Sequence, residues 1–129
     1  MAPVSRPEGA TSCSFVFHTS AWIAYARGEI PALEHMVAGK RIATPAICML
    51  EAAGWDDRLR DVVKMMRWLH EVVPTTVELV IDAAVRDHGL LASERMTLAV
   101  AAQRGLPAVF VRDGRLEMVD AVPVSPSHS

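Results

Sequence analysis

The chain has 129 residues, of which 51% are hydrophobic and 22% are charged. This length and composition are typical of one globular domain that buries about two thirds of its unfolded surface, and they exclude a disordered chain. Thirteen basic and fifteen acidic side chains give a net charge of −2, which excludes the strongly basic class of nucleic-acid coat and tail proteins. The charge still allows an enzyme that contacts RNA through one local patch.

The cysteine content and the hydropathy pattern predict a cytoplasmic protein. Cys13 and Cys48 are too few for a disulfide framework, and two free thiols indicate a reducing compartment. No apolar run approaches the roughly 18 residues of a membrane span, so we expect no membrane contact. The apolar stretch over 15–26 is interrupted by polar residues and lacks a preceding basic cluster, which favours folded structure over a signal peptide.

The two ends of the chain differ from its middle. Half of the eight prolines lie in residues 1–13 and 123–129, together with small polar residues. Such segments are typical of disordered tails, so we expect one folded domain over 14–122.

Short apolar runs alternate with segments of helical periodicity along this domain. The elements predicted for its first half are a strand over 14–17, a helix that ends at Gly28, a helix over 31–36 closed by Gly39, a strand over 41–44, and a helix over 46–53 with Pro45 in its first turn.

The second half continues the alternation. Its predicted elements are an amphipathic helix over 55–70, a strand fragment over 72–74, a helix that begins with a capping box of Thr75 and Glu78, a helix over 94–104 with Ser93 as N-cap, and strands over 108–111 and 116–119. Alternation of helices with apolar strands predicts an α/β fold, a three-layer α/β/α sandwich around a mainly parallel sheet. Ligands of such folds bind at the carboxyl ends of the strands.

Several polar residues stand where such a site is expected. A carboxylate among apolar neighbours has to be exposed, paired or metal-bound, because burying a bare charge is costly. Carboxylate oxygens suit Mg²⁺ or Mn²⁺, and two such ions can activate water for phosphodiester hydrolysis. The candidates are His18, Thr19 and Ser20 after the first strand, Glu51 in an apolar helix, Glu94 in the first turn of a helix, and Asp113 after the strand over 108–111.

Three segments resemble one family, the PIN domains, and within it the VapC-type ribonuclease toxins of bacterial toxin–antitoxin pairs. The resemblance covers about residues 14–120. The segments are FVFHTSAWIAYARGE at 15–29, ATPAICMLEAAG at 43–54, and LLASERMTLAVAAQRGLPAVFVRDGRL at 90–116.

The resemblance implies a metal-dependent endoribonuclease that cleaves single-stranded or structured RNA. Glu51, Glu94 and Asp113 would hold Mg²⁺ or Mn²⁺, and His18 stands where the family has its first Asp, as a substitute ligand or a base. An antitoxin would cover the site, and the chain would form a homodimer. The residues expected to bind the substrate are Thr19, Ser20, Arg95 and Arg112.

A different function is also open, because a neutral imidazole at position 18 supplies no negative charge. The chain could be a degenerate PIN domain that binds protein or RNA without hydrolysis, or another parallel α/β protein. Glu94 could serve only the helix dipole, and Asp113 only the turn before Gly114. Besides Arg95 and Arg112, a second basic patch is the row of Arg60, Lys64 and Arg67, which could also contact phosphates. The histidines expected at the surface are His35, His70 and His88.

Overall fold

The computed structural model describes residues 13–55, 57, 59–60 and 70–123. Most of the helix predicted over 55–70 and nearly all of both predicted tails lie outside the described residues. The elements run in the order β1 (Phe15–Phe17), α1 (Thr19–Arg27), α2 (Pro31–Gly39), β2 (Ile42–Pro45), α3 (Ala46–Trp55), β3 (Glu71–Val73), α4 (Val77–Ala84), α5 (Ala92–Arg104), β4 (Ala108–Arg112) and β5 (Arg115–Val119).

The five strands form one sheet in the order β3-β2-β1-β4-β5. β1 pairs in parallel with both β2 and β4, β2 pairs in parallel with β3, and only β5 runs antiparallel, beside β4. The prediction of a mainly parallel sheet is therefore confirmed. Because β2 and β4 flank β1 on opposite sides, the strand order reverses between β1 and β4, which is where such sheets bind ligands.

Successive strand residues point to opposite sides of the sheet, and helices cover both of its faces. On one face, Val16 and Phe110 pack against α4 and α5. On the other face, Phe17 and Val109 pack against α1 and α2, with Trp22 and Leu33 fully buried among them. The predicted α/β/α sandwich is confirmed by these two cores.

Two predicted helix starts are wrong by one or two residues. α4 begins after Thr76, whose hydroxyl accepts a hydrogen bond from the Leu79 amide at 3.2 Å, so Thr75 is not the cap. α5 begins after Leu91, whose amide donates to Glu94 Oε1 at 2.8 Å. Ser93 therefore lies inside α5, and its side chain is free to contact another element.

The prediction that His70 lies at the surface is also wrong. His70 is buried, its Nδ1 accepts a hydrogen bond from the Ile42 amide at 3.1 Å, and its ring lies 5.6 Å from that of Trp22. Periodicity cannot reveal this contact because it joins residues 28 positions apart. No helix within the described ranges is long and apolar enough to cross a bilayer.

Candidate functional site

The site begins where β1 ends, at the reversal of the strand order. His18 follows β1 directly, is the N-cap of α1, and its amide donates to the Val109 carbonyl of β4 at 3.0 Å. Only 7% of His18 is exposed, and its ring lies 5.2 Å from that of Phe110. The imidazole is thus fixed between β1, β4 and the helices that cover them.

Both ring nitrogens of His18 have hydrogen-bond partners within the protein. The Ser20 amide donates to Nδ1 at 3.1 Å, and the Ser20 hydroxyl lies 2.9 Å from the same nitrogen. Because Ser20 Oγ accepts from the Val111 amide at 3.0 Å, its own proton is available for Nδ1. Nδ1 is therefore the acceptor, and Nε2 carries the proton and donates to Ser93 Oγ at 3.0 Å.

The environment of His18 also keeps the ring neutral. Burial lowers the pKa of His18, and the opposing attraction of Glu94 and Glu51 is smaller than this effect. A neutral ring with Nδ1 occupied and Nε2 protonated offers no lone pair to a metal ion. The same tautomer cannot withdraw a proton from Ser93, so the pair is not a nucleophile and its base.

Glu94 is committed to partners on both of its carboxylate oxygens. Oε1 accepts from the Leu91 amide, and Oε2 forms an ion pair with Arg112 Nη2 at 2.9 Å. Arg112 also contacts Glu117 at 3.0 Å and lies over the Phe110 ring at 5.5 Å. The carboxylate that the sequence offered as a metal ligand is therefore neutralised by a neighbouring guanidinium.

Glu51 is the open carboxylate of the site. It is exposed on α3, and Oε1 accepts a hydrogen bond from Thr19 Oγ1 at 2.6 Å. It faces a cleft of about 440 Å³ between α1, α3 and the start of α5. The cleft is lined by His18, Thr19, Ser20, Ile23, Glu51, Gly54, Trp55, Leu91 and Ser93.

These side chains do not fit Mg²⁺ or Mn²⁺. Mg²⁺ requires near-octahedral oxygen coordination, and Mn²⁺ also prefers oxygen donors. His18 and Glu94 are already occupied, and Asp113 does not line the cleft. Across the described ranges, no group of three or more His, Cys, Asp and Glu side chains is arranged to hold a metal ion.

The structure brings together four of the candidates, His18, Thr19, Ser20 and Glu51, with Glu94 and Arg112 close enough to act on the His18 charge. Two others lie elsewhere. Asp113 occupies the turn after β4 with a φ of 52°, and Arg95 lines a separate groove. Of the second basic patch, Arg60 pairs with Asp57 at 3.4 Å, and Lys64 and Arg67 lie outside the described residues.

Sequence reasoning missed the apolar rim of the cleft and the role of Ser93. Ile23, Trp55 and Leu91 line the opening, and 62% of Trp55 and 68% of Leu91 are exposed. Leu91 gave no local signal, because the sequence does not record that its apolar side chain is exposed. Ser93 gave no local signal, because its contact with His18 spans 75 residues.

The buried histidines predict a stability that depends on pH. Burial lowers the pKa of both His18 and His70 from the ordinary value of 6.5. As the pH falls through 6.5, the unfolded chain therefore binds protons that the folded chain does not bind. The free energy of unfolding should therefore be highest above pH 6.5. It should fall as the pH drops toward 5, by up to about 1.4 kcal/mol per pH unit for each histidine. Urea denaturation at pH 7.5, 6.5 and 5.5 measures this slope.

The matched variants for this measurement are His18→Asn and His35→Asn. His35 is exposed, so its replacement should leave the slope unchanged, whereas His18→Asn should reduce it. An unchanged slope in His18→Asn would show that the ring is not held neutral in the folded state.

Comparison with known proteins gives the fold. No protein-family model matches the chain, and no curated protein matches it in sequence. Two similar solved structures are VapC20 of Mycobacterium tuberculosis, a toxin that cleaves the sarcin–ricin loop, and the PIN-domain endonuclease Utp24. VapC20 has a TM-score of 0.62 and 18% identity over 78% of this chain and 91% of VapC20. Utp24 has a TM-score of 0.42 and 15% identity over 87% of this chain and 95% of Utp24. The likeness to VapC20 confirms that this chain has the VapC-type PIN fold that its sequence segments resemble.

Proposed function

We propose that this chain is a PIN-fold module that binds a protein partner and has lost metal-dependent hydrolysis. The observation that carries the proposal is that His18 and Glu94 each have partners within the protein. Hydrogen bonds to Ser20 and Ser93 occupy the imidazole, and the Arg112 ion pair occupies the carboxylate. A nuclease that relies on divalent ions needs such groups to be open to the metal.

The charge of the cleft favours a protein over RNA. Arg112 is paired to Glu94 and Glu117, and among the described residues the cleft is lined by one carboxylate, that of Glu51. A carboxylate without a bound cation repels phosphate, and RNA affinity depends mainly on neutralising phosphates. The same carboxylate attracts a basic side chain.

The rim of the cleft defines the partner further. Ile23, Trp55 and Leu91 surround Glu51 with apolar surface, of which a large part is exposed. A segment that places one Arg or Lys at Glu51 and apolar side chains on this rim matches both charge and polarity. An antitoxin-like protein with such a segment is the partner that we propose, since VapC20 is itself a toxin.

The second candidate function is a metal-dependent endoribonuclease. The likeness to a toxin that cleaves an RNA loop favours it, together with the open carboxylate of Glu51 beside the Thr19 hydroxyl. The two functions differ in whether the purified protein binds Mn²⁺ or Mg²⁺ and cleaves RNA in its presence.

The proposal predicts that the protein neither binds Mn²⁺ tightly nor cleaves RNA. Incubated with a labelled single-stranded RNA and a labelled stem–loop, it should give no cleavage that depends on Mn²⁺ or Mg²⁺. The double variant His18→Asp/Arg112→Gln should raise Mn²⁺ affinity at least about tenfold in calorimetry. It adds one carboxylate and releases Oε2 of Glu94, and a tenfold change corresponds to about 1.4 kcal/mol.

The matched control is His18→Asp/Arg115→Gln, which removes an exposed arginine that does not pair with Glu94. Its Mn²⁺ affinity should rise less than that of the first double variant. RNA cleavage by the unmodified protein that needs Mn²⁺ and disappears in Glu51→Gln would establish the endoribonuclease instead.

The cleft should distinguish a positive charge from a neutral group of the same shape. A short peptide with one arginine between leucines should bind at least about tenfold more tightly than its citrulline analogue. The difference should vanish in Glu51→Gln and persist in Glu34→Gln, which removes an exposed carboxylate of α2. Titrations followed by NMR measure both affinities, and equal binding of the two peptides would contradict a role for Glu51.

We also propose that the chain forms a homodimer, and the outer face of α4 supports this. Val77 and Ile81 of α4 and Val85 directly after its end recur every four residues and are 69%, 61% and 59% exposed. Apolar side chains in a row at helical spacing are costly in water and favour a surface that another chain covers. A second copy can present the same row and form a symmetric interface.

Replacing Ile81 with lysine should convert the dimer into a monomer, because a charge would be buried in the interface. Light scattering after size exclusion measures the mass. Glu34→Lys adds a lysine on the opposite face of the sheet and should leave the mass unchanged. A monomeric unmodified protein would contradict the homodimer.

The cytoplasm stays the predicted location. The chain has two cysteines, Cys13 and Cys48, which are too few for a disulfide framework and suit the reducing compartment expected from the sequence.

A further inference from the structure

A groove separate from the cleft lies between α4 and α5, with the first turn of α3 at its end. Its volume is about 330 Å³, and among the described residues it shares none of its lining with the cleft. Its walls are mainly aliphatic. They are formed by Ile47, Thr75, Val80, Ala83, Ala84, Ala92, Arg95 and Met96.

Arg95 is the charged side chain of this groove. Its Nε is buried and has no hydrogen-bond partner. Among the ion pairs of the described residues, none includes Arg95, and the adjacent carboxylate of Glu94 is already occupied by Arg112 and the Leu91 amide. Arg95 is partly exposed and lines the groove, so an acceptor that enters the groove would gain a charge-assisted hydrogen bond from its guanidinium.

The combination of aliphatic walls and one unpaired guanidinium defines the chemistry of the ligand. An aliphatic body would displace water from Val80, Ala84 and Met96, and a carboxylate would accept from Arg95. We propose that this groove binds a medium-chain fatty acid, with its carboxylate at Arg95 and its chain along α4.

The size of the groove favours a small ligand over a macromolecule. A volume of about 330 Å³ lies at the lower end of small-molecule sites, which begin near 300 Å³. A stable protein interface buries more than about 1,000 Å², which is more than a groove of this volume offers. Among the described residues of the lining, a phosphate backbone would find one guanidinium between apolar side chains and no second cation.

Decanoate at submicellar concentration is the probe, and decanol is the neutral comparison. Calorimetry on the full chain should give a dissociation constant for decanoate below about 1 mM. Decanol should bind at least about tenfold more weakly, because it lacks the charge that pairs with Arg95. Equal affinities, or no binding of decanoate, would overturn the proposal.

Three variants locate the site. Arg95→Gln should weaken decanoate binding about tenfold and leave decanol unchanged, whereas Ala84→Leu should weaken both by filling the groove. Arg115→Gln removes an exposed arginine of β5 and should change neither affinity. Decanoate binding that survives Arg95→Gln would place the ligand elsewhere. An acidic apolar peptide that binds at Arg95 when decanoate does not would assign the groove to a protein partner.

The proposal stands apart from the proposed function. Glu51→Gln alters the cleft and leaves the groove intact, so decanoate should bind that variant as it binds the unmodified protein. Failure of the arginine peptide at the cleft and failure of decanoate at the groove are therefore separate outcomes.

Discussion

The neutral imidazole of His18 is the contact on which the site depends. It joins the end of β1 to α1 through Ser20 and to α5 through Ser93, while Ser20 Oγ also holds the Val111 amide of β4. Each hydrogen bond contributes about 0.5–1.5 kcal/mol, and loss of one partner would leave a buried polar group unsatisfied at a cost of about 1–3 kcal/mol. These hydrogen bonds bring four elements together at the reversal of the strand order.

A second internal contact closes the other half of the site. The Glu94 carboxylate caps α5 through the Leu91 amide and pairs with Arg112 at the end of β4. A metal ion placed between carboxylates would relieve their mutual repulsion, and here a guanidinium does the same. The VapC-type fold thus keeps its geometry at the sheet edge, while its polar groups stabilise the protein itself.

The same architecture leaves open two surfaces that differ in charge. The cleft between α1, α3 and the start of α5 has one exposed carboxylate inside an apolar rim. The groove between α4 and α5 has one guanidinium inside aliphatic walls. The carboxylate of the cleft favours a positively charged ligand, and the guanidinium of the groove favours a negatively charged one. The two surfaces therefore do not compete for the same ligand.

The sequence by itself determined what local physical chemistry controls. Apolar runs gave the strands, and Gly28 marked the end of α1, where it adopts a positive φ of 67°. This conformation costs glycine little, so the signal is contained in the residue itself. Alternation of strands and helices was enough for the α/β sandwich, and the end of the first strand was enough to place His18 at the sheet edge. Glu51 lies in a helix, and the family resemblance assigned it to the same site.

Tertiary structure alone decided what these residues do. Whether His18 meets a metal or Ser93 depends on α5 arriving 75 residues later in the chain, and no local pattern records that distance. Glu94 reads as a ligand until Arg112 of β4 lies beside it, and His70 reads as a surface residue until the Ile42 amide finds it. Hydrogen bonds and ion pairs act over a few ångströms, so the protonation and availability of a polar group are set by neighbours in space.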